Sequence, residues 1–534
     1  MTTDQSATDK TDIPGRIAEK PAAIAALVDH WSREMPDREA VHYGTRSYTW
    51  AQLADRVRRN AAAQLAAGLR PGDRIAYLDK NHPGCTETTL ACALVGTANA
   101  VVNFRLAAEE IRYIINDAQA ALVMVGTEFL PVLAKIRDEL TTVRKVIVVG
   151  GEQDEYEEWL AGVEPLAGEP EPVPDQCFLH LYTSGTTGFP KGAMLTNRSL
   201  TAHAASVALT TEVGPDSVAL VAMPLFHVGG SGWGLLAMFH GARIVLVRDI
   251  IPAALLDEIV EQKVSHAFLV PAVFGFLLQV PDVAERDYSA VKALVYGASP
   301  MPLPLLRRSM AAFNVDFYQV YGMTEASGAV TSLDAAEHRD TAHEDRITSA
   351  GKPVTGVELA IVDPVSGEHL GPNQTGEVWV RTAQLMSGYW NKPEADAAAF
   401  APDGWLRSGD AGHIDDDGYL YISDRIKDMI ISGGENIYPA EIERVLAEFP
   451  GVADVAVIGV PDEKWGEVGK AVVVPVPGAE FDADALLTYC RERLAGYKCP
   501  QSVSIVAELP RNATGKVLKR ELREPFWVGR NTKI

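Results

Sequence analysis

The run Tyr182-Thr183-Ser184-Gly185-Thr186-Thr187-Gly188-Phe189-Pro190-Lys191-Gly192 sets four Ser/Thr hydroxyls, three glycines and one lysine directly after an apolar stretch at 178–182. A strand that ends in such a loop can wrap a polyphosphate. Glycine lets backbone N–H groups approach closely, hydroxyls add donors, and lysine adds a point charge. The spacing departs from G-x-x-x-x-G-K-[ST], which needs a helix beginning at the lysine. Here Pro190 precedes Lys191, Gly192 follows it, and a second apolar run continues over 193–195. A helix is expected only from Asn197. The predicted element is a phosphate loop between two strands. By itself the same composition also describes a flexible surface loop, so its neighbours carry the weight.

A chain of 534 residues is too long for one core and predicts two or more domains. Helical and extended patterns alternate. A helix is expected over 51–69 and strands over 74–78, 96–102, 121–125 and 143–149. After the loop come strands over 218–222, 243–247, 266–270 and 293–296, with a helix over 253–262. This alternation predicts α/β layers. Residues 1–20 read as a disordered tail, and 152–174, acidic and rich in Pro and Gly, as an exposed connector. Strands over 361–380 are short and turn-rich, as in a small barrel-like subdomain or a distorted sheet. A strand over 418–422 breaks at the charged segment 423–428. The rest reads as a small, mobile α+β unit of about 100 residues. The expected division is a tail 1–20, a large N-terminal domain 21–424, a hinge 425–428 and a C-terminal domain 429–534.

The net charge of −23 argues against broad binding to nucleic acid or anionic membranes. Anionic ligands then need local basic sites, and Arg491, Arg493, Lys498, Arg511, Lys516, Lys519, Arg520 and Arg523 supply one near the C-terminus. The five cysteines are scattered without a C-x-x-C pair, which predicts neither disulfides nor zinc and fits a reducing, cytoplasmic compartment. The first twenty residues hold no apolar signal segment. No apolar run reaches the roughly 20 residues that span a bilayer.

Further motifs follow in order. They are Pro224-Leu225-Phe226-His227-Val228-Gly229-Gly230, Gly297-Ala298-Ser299-Pro300, Gln319-Val320-Tyr321-Gly322-Met323-Thr324-Glu325 and Trp405-Leu406-Arg407-Ser408-Gly409-Asp410. After these come Ser432-Gly433-Gly434-Glu435-Asn436 and Arg511-Asn512-Ala513-Thr514-Gly515-Lys516. Their types and spacing, over residues 25–523, resemble the adenylate-forming superfamily of acyl-CoA synthetases, peptide-synthetase adenylation domains and firefly luciferase. The acyl-CoA synthetase branch, and within it the fatty-acid–CoA ligases, fits best.

The resemblance implies roles that the chemistry supports. Thr183, Ser184, Gly185, Thr186, Thr187, Gly188 and Lys191 would hold the ATP phosphates. Gly297, Ala298 and Ser299 would border the adenine, and Gln319, Val320, Tyr321, Gly322 and Met323, with Thr324, would flank adenine and α-phosphate. Glu325 would contact Mg²⁺, which usually binds through one or two carboxylates plus substrate phosphates. Asp410 would accept from the ribose hydroxyls, since one carboxylate can take two such bonds. Arg425, fifteen positions on, would reach the same ribose. Lys516 would bridge the acid and the α-phosphate as a compact charge on a long stem. Lys427 falls on the family's hinge. Ser432, Gly433 and Gly434 would line a tunnel for the CoA thiol, or merely turn the chain before a helix. His227 would gate that tunnel and border the acyl pocket.

The implied activity is acyl-adenylate formation from a carboxylic acid and ATP, followed by transfer to CoA. The alternative acceptor is a separate acyl carrier protein. His227 stands where amino-acid-activating relatives carry an aspartate, and no carrier domain follows Lys516; both points favour CoA. A homodimer stays open. Gly229, Gly230, Ser231, Gly232 and Gly234 leave room beside the gate for a long or bulky apolar acyl group, although Trp233 could equally close it.

Overall fold

Strands Arg74–Leu78 and Ala120–Gly126 are buried at every position. Their near-continuous apolar runs are what a parallel sheet covered on both faces requires. The computed structural model describes residues 20–528 apart from 153, 169–172, 184–188, 300, 302, 364–365, 426–429, 434, 438, 477, 479–480, 511–516 and 518. Among the described residues the chain forms four sheets.

The six-stranded sheet runs Lys145–Val149, Ala120–Gly126, Arg74–Leu78, Ala98–Val101, Cys177–Thr183, Lys191–Thr196. It is parallel except for the last pair. The nine-stranded sheet has a parallel centre in the order Phe317–Met323, Ala293–Gly297, His266–Leu269, Val218–Val221, Arg243–Leu246, with antiparallel pairs at both edges. Helices cover both sheets. Trp50–Ala66 starts with a Thr49/Gln52 capping box, and Pro83–Val95 has proline in its first turn and ends at Gly96, φ +82°. Trp31 and Trp50 are almost wholly buried in the shared core.

The segment 361–380 belongs to a four-stranded antiparallel sheet, Val357–Val362, Gly376–Thr382, Leu406–Ile414, Leu420–Arg425. Its ladder shifts register at Glu377/Trp379 and Ala411/Gly412, the distorted sheet of the two forms expected. The last strand runs to Arg425, three residues past the expected break, because Asp410 and Arg425 still pair across the ladder. Beyond it a five-stranded sheet with helices Pro439–Ala447 and Ala483–Arg491 surrounds its own core of Ile430, Ile442, Leu446, Val457 and Leu486. A separate core is what a separate domain needs.

The connector expectation holds only in part, because the described part of 152–174 is largely exposed but not unstructured throughout. The connector over 152–174 contains the helix Glu155–Ala161, with Tyr156 and Leu160 buried. Tyr156 donates to Glu87 at 2.7 Å and accepts from Asn60 at 2.9 Å. Arg56 pairs with both Glu87 and Glu157. Of the connector's described acidic side chains only Glu157 enters this network, while Glu152, Glu155, Glu158 and Glu164 stay exposed.

Candidate active site

Four strands of the nine-stranded sheet end on one side, and the segments that follow them carry the motifs. His227 follows Val218–Val221, Val270 follows His266–Leu269, Ala298 follows Ala293–Gly297, and Thr324 and Glu325 follow Phe317–Met323. The carboxyl ends of parallel strands form the crevice where open α/β sheets bind ligands. Two glycines let the backbone close there. A Cβ on Gly297 would lie 2.4 Å from the Val320 carbonyl oxygen, and one on Gly322 would lie 2.0 Å from that of Gly328.

The strands that flank the expected phosphate loop pair antiparallel, with Thr183 and Lys191 as cross-strand partners. Ser184, Gly185, Thr186, Thr187 and Gly188 lie outside the described residues. Lys191 holds its ammonium 4.9 Å from the centre of the Tyr389 ring. Tyr389 donates to Glu325 Oε1 at 2.7 Å, and Thr183 donates to the same oxygen at 3.3 Å. Three distant segments thus meet on one carboxylate. A carboxylate and hydroxyl oxygens are the hard donors that Mg²⁺ prefers, and their small number suits an ion bound largely through phosphates.

Asp410 is buried and accepts from the Tyr321 hydroxyl at 2.6 Å. Arg425 is its cross-strand partner, so the fifteen-residue spacing in sequence is the length of one hairpin. Gln319 accepts from Tyr296 at 3.1 Å and does not line the cavity, nor do Val320 and Ser299. Ala298 does, held in the left-handed region at φ +67°.

That cavity, about 900 Å³, lies between the two domains. Thr183, Thr324, Glu325 and Asp410 face it from one side, Ser432, Gly433 and Glu435 from the other. Gly433, at φ +58°, donates its N–H to Trp465, whose ring lies 2.6 Å from where a Cβ would stand. His227 occupies the N-cap of helix Val228–Phe239, its Nε2 3.1 Å from Glu435 Oε2. Arg105 contacts the other oxygen of Glu435. Burial raises the Glu435 pKa, but His227 and Arg105 more than offset it, so the carboxyl sits below its ordinary value. Gly434, Lys427 and Lys516 fall outside the described residues, as does the side chain of Arg425.

The glycines after the gate do not open the pocket as expected. Of that set only Gly229 lines the cavity. Gly230 permits close packing, since its Cβ would sit 2.2 Å from the Pro224 carbonyl oxygen, and Trp233 donates to Leu220 at 2.9 Å. Room comes instead from a wall of Phe226, Val228, Phe268, Val270 and Phe276. The sequence offers no motif for Tyr389 or Arg105. Both sit in ordinary loops, and only folding brings them to Glu325 and Glu435.

Known proteins resemble this chain over nearly its whole length. The family model for AMP-binding enzymes matches residues 28–390, and that for the AMP-binding enzyme C-terminal domain matches 441–516. A feruloyl-CoA synthase from Amycolatopsis sp is 41% identical over 500 residues, covering 93% of this chain and 97% of the relative. The fatty acid–[acyl-carrier-protein] ligase ScoC from Streptomyces coeruleorubidus is 38% identical over 508 residues, covering 93% and 95%. The o-succinylbenzoate CoA synthetase (MenE) of Bacillus subtilis is 31% identical, covering 93% of this chain and 97% of its own. A double-mutant form bound with its product analogue OSB-NCoA superposes with a TM-score of 0.83, and the complex with the acyl-adenylate intermediate OSB-AMP with 0.68. The chain therefore belongs to the AMP-binding enzymes of the adenylate-forming superfamily, on its acyl-CoA ligase branch.

Proposed function

We propose that this acyl-CoA ligase activates a long-chain or bulky apolar carboxylic acid, and that the cavity between its domains serves both halves of the reaction. In the first half a carboxylate oxygen attacks the α-phosphorus of ATP, pyrophosphate leaves, and a mixed anhydride forms. In the second the CoA thiol sulfur attacks the acyl carbon and AMP leaves. A carboxylate is a poor electrophile, and the adenylate supplies the leaving group.

The loop between Thr183 and Lys191 cradles the phosphates. Asp410 takes the ribose hydroxyls, oriented by Tyr321, with Arg425 beside it. Glu325, steadied by Tyr389 and Thr183, would hold Mg²⁺ together with the phosphates, and the ion would supply neutralising charge where two anions must meet. Lys516 bridges the acid and the α-phosphate. Residues 425–428 act as the hinge. The apolar wall of Phe226, Phe268, Val270 and Phe276 receives the acyl group. Ser432 and Gly433 border the thiol path, and Glu435 draws the His227 ring toward the C-terminal domain. All five cysteines are free, in keeping with a cytoplasmic enzyme.

The observation that carries this reading is one cavity bounded by Glu325 and Asp410 on one side and Ser432 and Gly433 on the other. The domain arrangement supports it. The chain superposes better on the MenE complex with the CoA product analogue than on the acyl-adenylate complex at equal identity and coverage, in keeping with a domain arrangement suited to the second half-reaction. ScoC favours a second reading, an acyl carrier protein as acceptor.

The test is incubation with Mg·ATP and a panel of short, medium, long, aryl and polycyclic acids, with CoA or a phosphopantetheinyl carrier. Adenylate and thioester are read by mass spectrometry. Adenylate with both apolar acid and CoA consumed supports the proposal; adenylate transferred only to the carrier overturns the CoA reading.

A further inference from the structure

Beside the cavity the two domains share a buried ion pair. Lys498 Nζ lies 2.8 Å from Glu110 Oε1, with side-chain exposures of 3% and 9%. The other carboxylate oxygen accepts two backbone N–H groups at 2.9 Å, from Ala107 in its own domain and from Ala495 across the interface. Ala495 is buried in the core that contains Ile111 and Ile114 of helix Ala108–Asp117. Asn103 donates to the Tyr497 hydroxyl at 3.2 Å. The segment 495–498 thus plugs into the N-terminal domain.

Lysine is almost never fully buried unless paired, and a buried carboxylate needs its lone pairs filled. Glu110 meets both needs at once, but Lys498 and the Ala495 N–H belong to the other domain. If the C-terminal domain turns, these two leave together, and Glu110 keeps only Ala107. The pair therefore does not bear on whether the chain folds so much as on which folded orientation is populated. Separation returns both charges to water, so the desolvation cost of the pair offsets part of its attraction. The hydrogen bonds to the charged group decide the balance, each worth about tenfold or more in an equilibrium.

We propose that Glu110 and Lys498 are positioning residues for acyl transfer. They hold the C-terminal domain in the orientation that presents Ser432 and Gly433 to the cavity. The proposal rests on the two-step reading above.

The test uses the full chain as Glu110→Gln and Lys498→Met. The amide of Glu110→Gln keeps the side-chain shape but must lose either Lys498 or the Ala495 N–H, and methionine removes the charge with little change in volume. Adenylate formation is measured without CoA. Transfer is measured in a single turnover after CoA is added to enzyme preloaded with adenylate. Adenylate formation is expected to stay within about twofold or to rise, and transfer to fall at least about tenfold. A merely structural role would lower both steps together. Equal loss in both steps, or undiminished transfer, overturns the proposal. Retained adenylate formation certifies the fold. Failure of the unmodified enzyme to transfer to CoA overturns the CoA reading instead, and the comparison is then read with the carrier as acceptor.

Discussion

Glu325 draws its strength from where its neighbours come from. Thr183 and Tyr389, 142 and 64 residues away in sequence, fix one oxygen of its carboxylate. Glu325→Gln is expected to slow adenylate formation by about 100-fold, the usual size of a lost electrostatic contact at a reacting centre. Tyr389→Phe leaves the Thr183 bond and is expected to cost about tenfold, one hydrogen bond to a charged group. Pyrophosphate release at saturating acid measures both, and equal rates for Tyr389→Phe and wild type would contradict the positioning role. Lys191, Glu325 and Asp410 stand out in the sequence as candidates because they sit in short runs of unusual composition, and folding brings Glu325 and Asp410 to one cavity. Tyr389 and Arg105 do not, because a tyrosine or arginine in a plain loop gives no sign of what it will meet.

At the scale of elements, the sheet edge around Gly297 and Gly322 sets the shape of the crevice. Gly322→Ala would place a methyl 2.0 Å from the Gly328 carbonyl, and the fixed backbone of the hairpin cannot yield without moving Glu325. The expected result is a loss of about 1–3 kcal/mol of stability, the range for overpacking. It is read as a lowered denaturant midpoint together with slower adenylate formation. An unchanged midpoint would count against the close packing. The buried parallel strands were readable because they are continuously apolar. The helix Glu155–Ala161 was hidden because its reason to fold lies in Arg56, Asn60 and Glu87, not in its own residues. The glycines of helix Val228–Phe239 misled for the same reason. Small residues can mean open space or close contact, and only the partner decides.

Over the whole molecule, buried histidines tie stability to pH. Burial pushes His82 and His180 down to about 3 and His203 to about 4, with Arg248 and Arg46 adding to the effect at His82 and Arg74 at His180. Geometry agrees for two of them. His82 Nδ1 accepts the Gly84 N–H at 3.1 Å and His203 Nε2 the Ala329 N–H at 3.2 Å, which a protonated nitrogen cannot do. In the unfolded chain each takes up a proton near its ordinary value of about 6.5. Below that pH the unfolded state binds more protons, so stability is full above about 6.5 and is lost as pH falls toward about 4. Each histidine contributes a slope of up to about 1.4 kcal/mol per pH unit in that window. Melting temperatures between about pH 8 and pH 5 test this, and a flat profile would contradict it. The presence of a large N-terminal and a smaller C-terminal domain was legible from the change of pattern along the chain, whereas the expected hinge lies largely outside the described residues. The orientation of the domains was not legible, since it rests on pairs such as Glu110 and Lys498 that are 388 residues apart.

The most direct measurement follows every phosphorus and acyl product in one reaction with an accepted acid, Mg·ATP and CoA. The enzyme should release AMP, pyrophosphate and acyl-CoA in equal amounts, with acyl-adenylate accumulating when CoA is withheld. Release of ADP and orthophosphate, or ATP consumption that no acid increases, would contradict it.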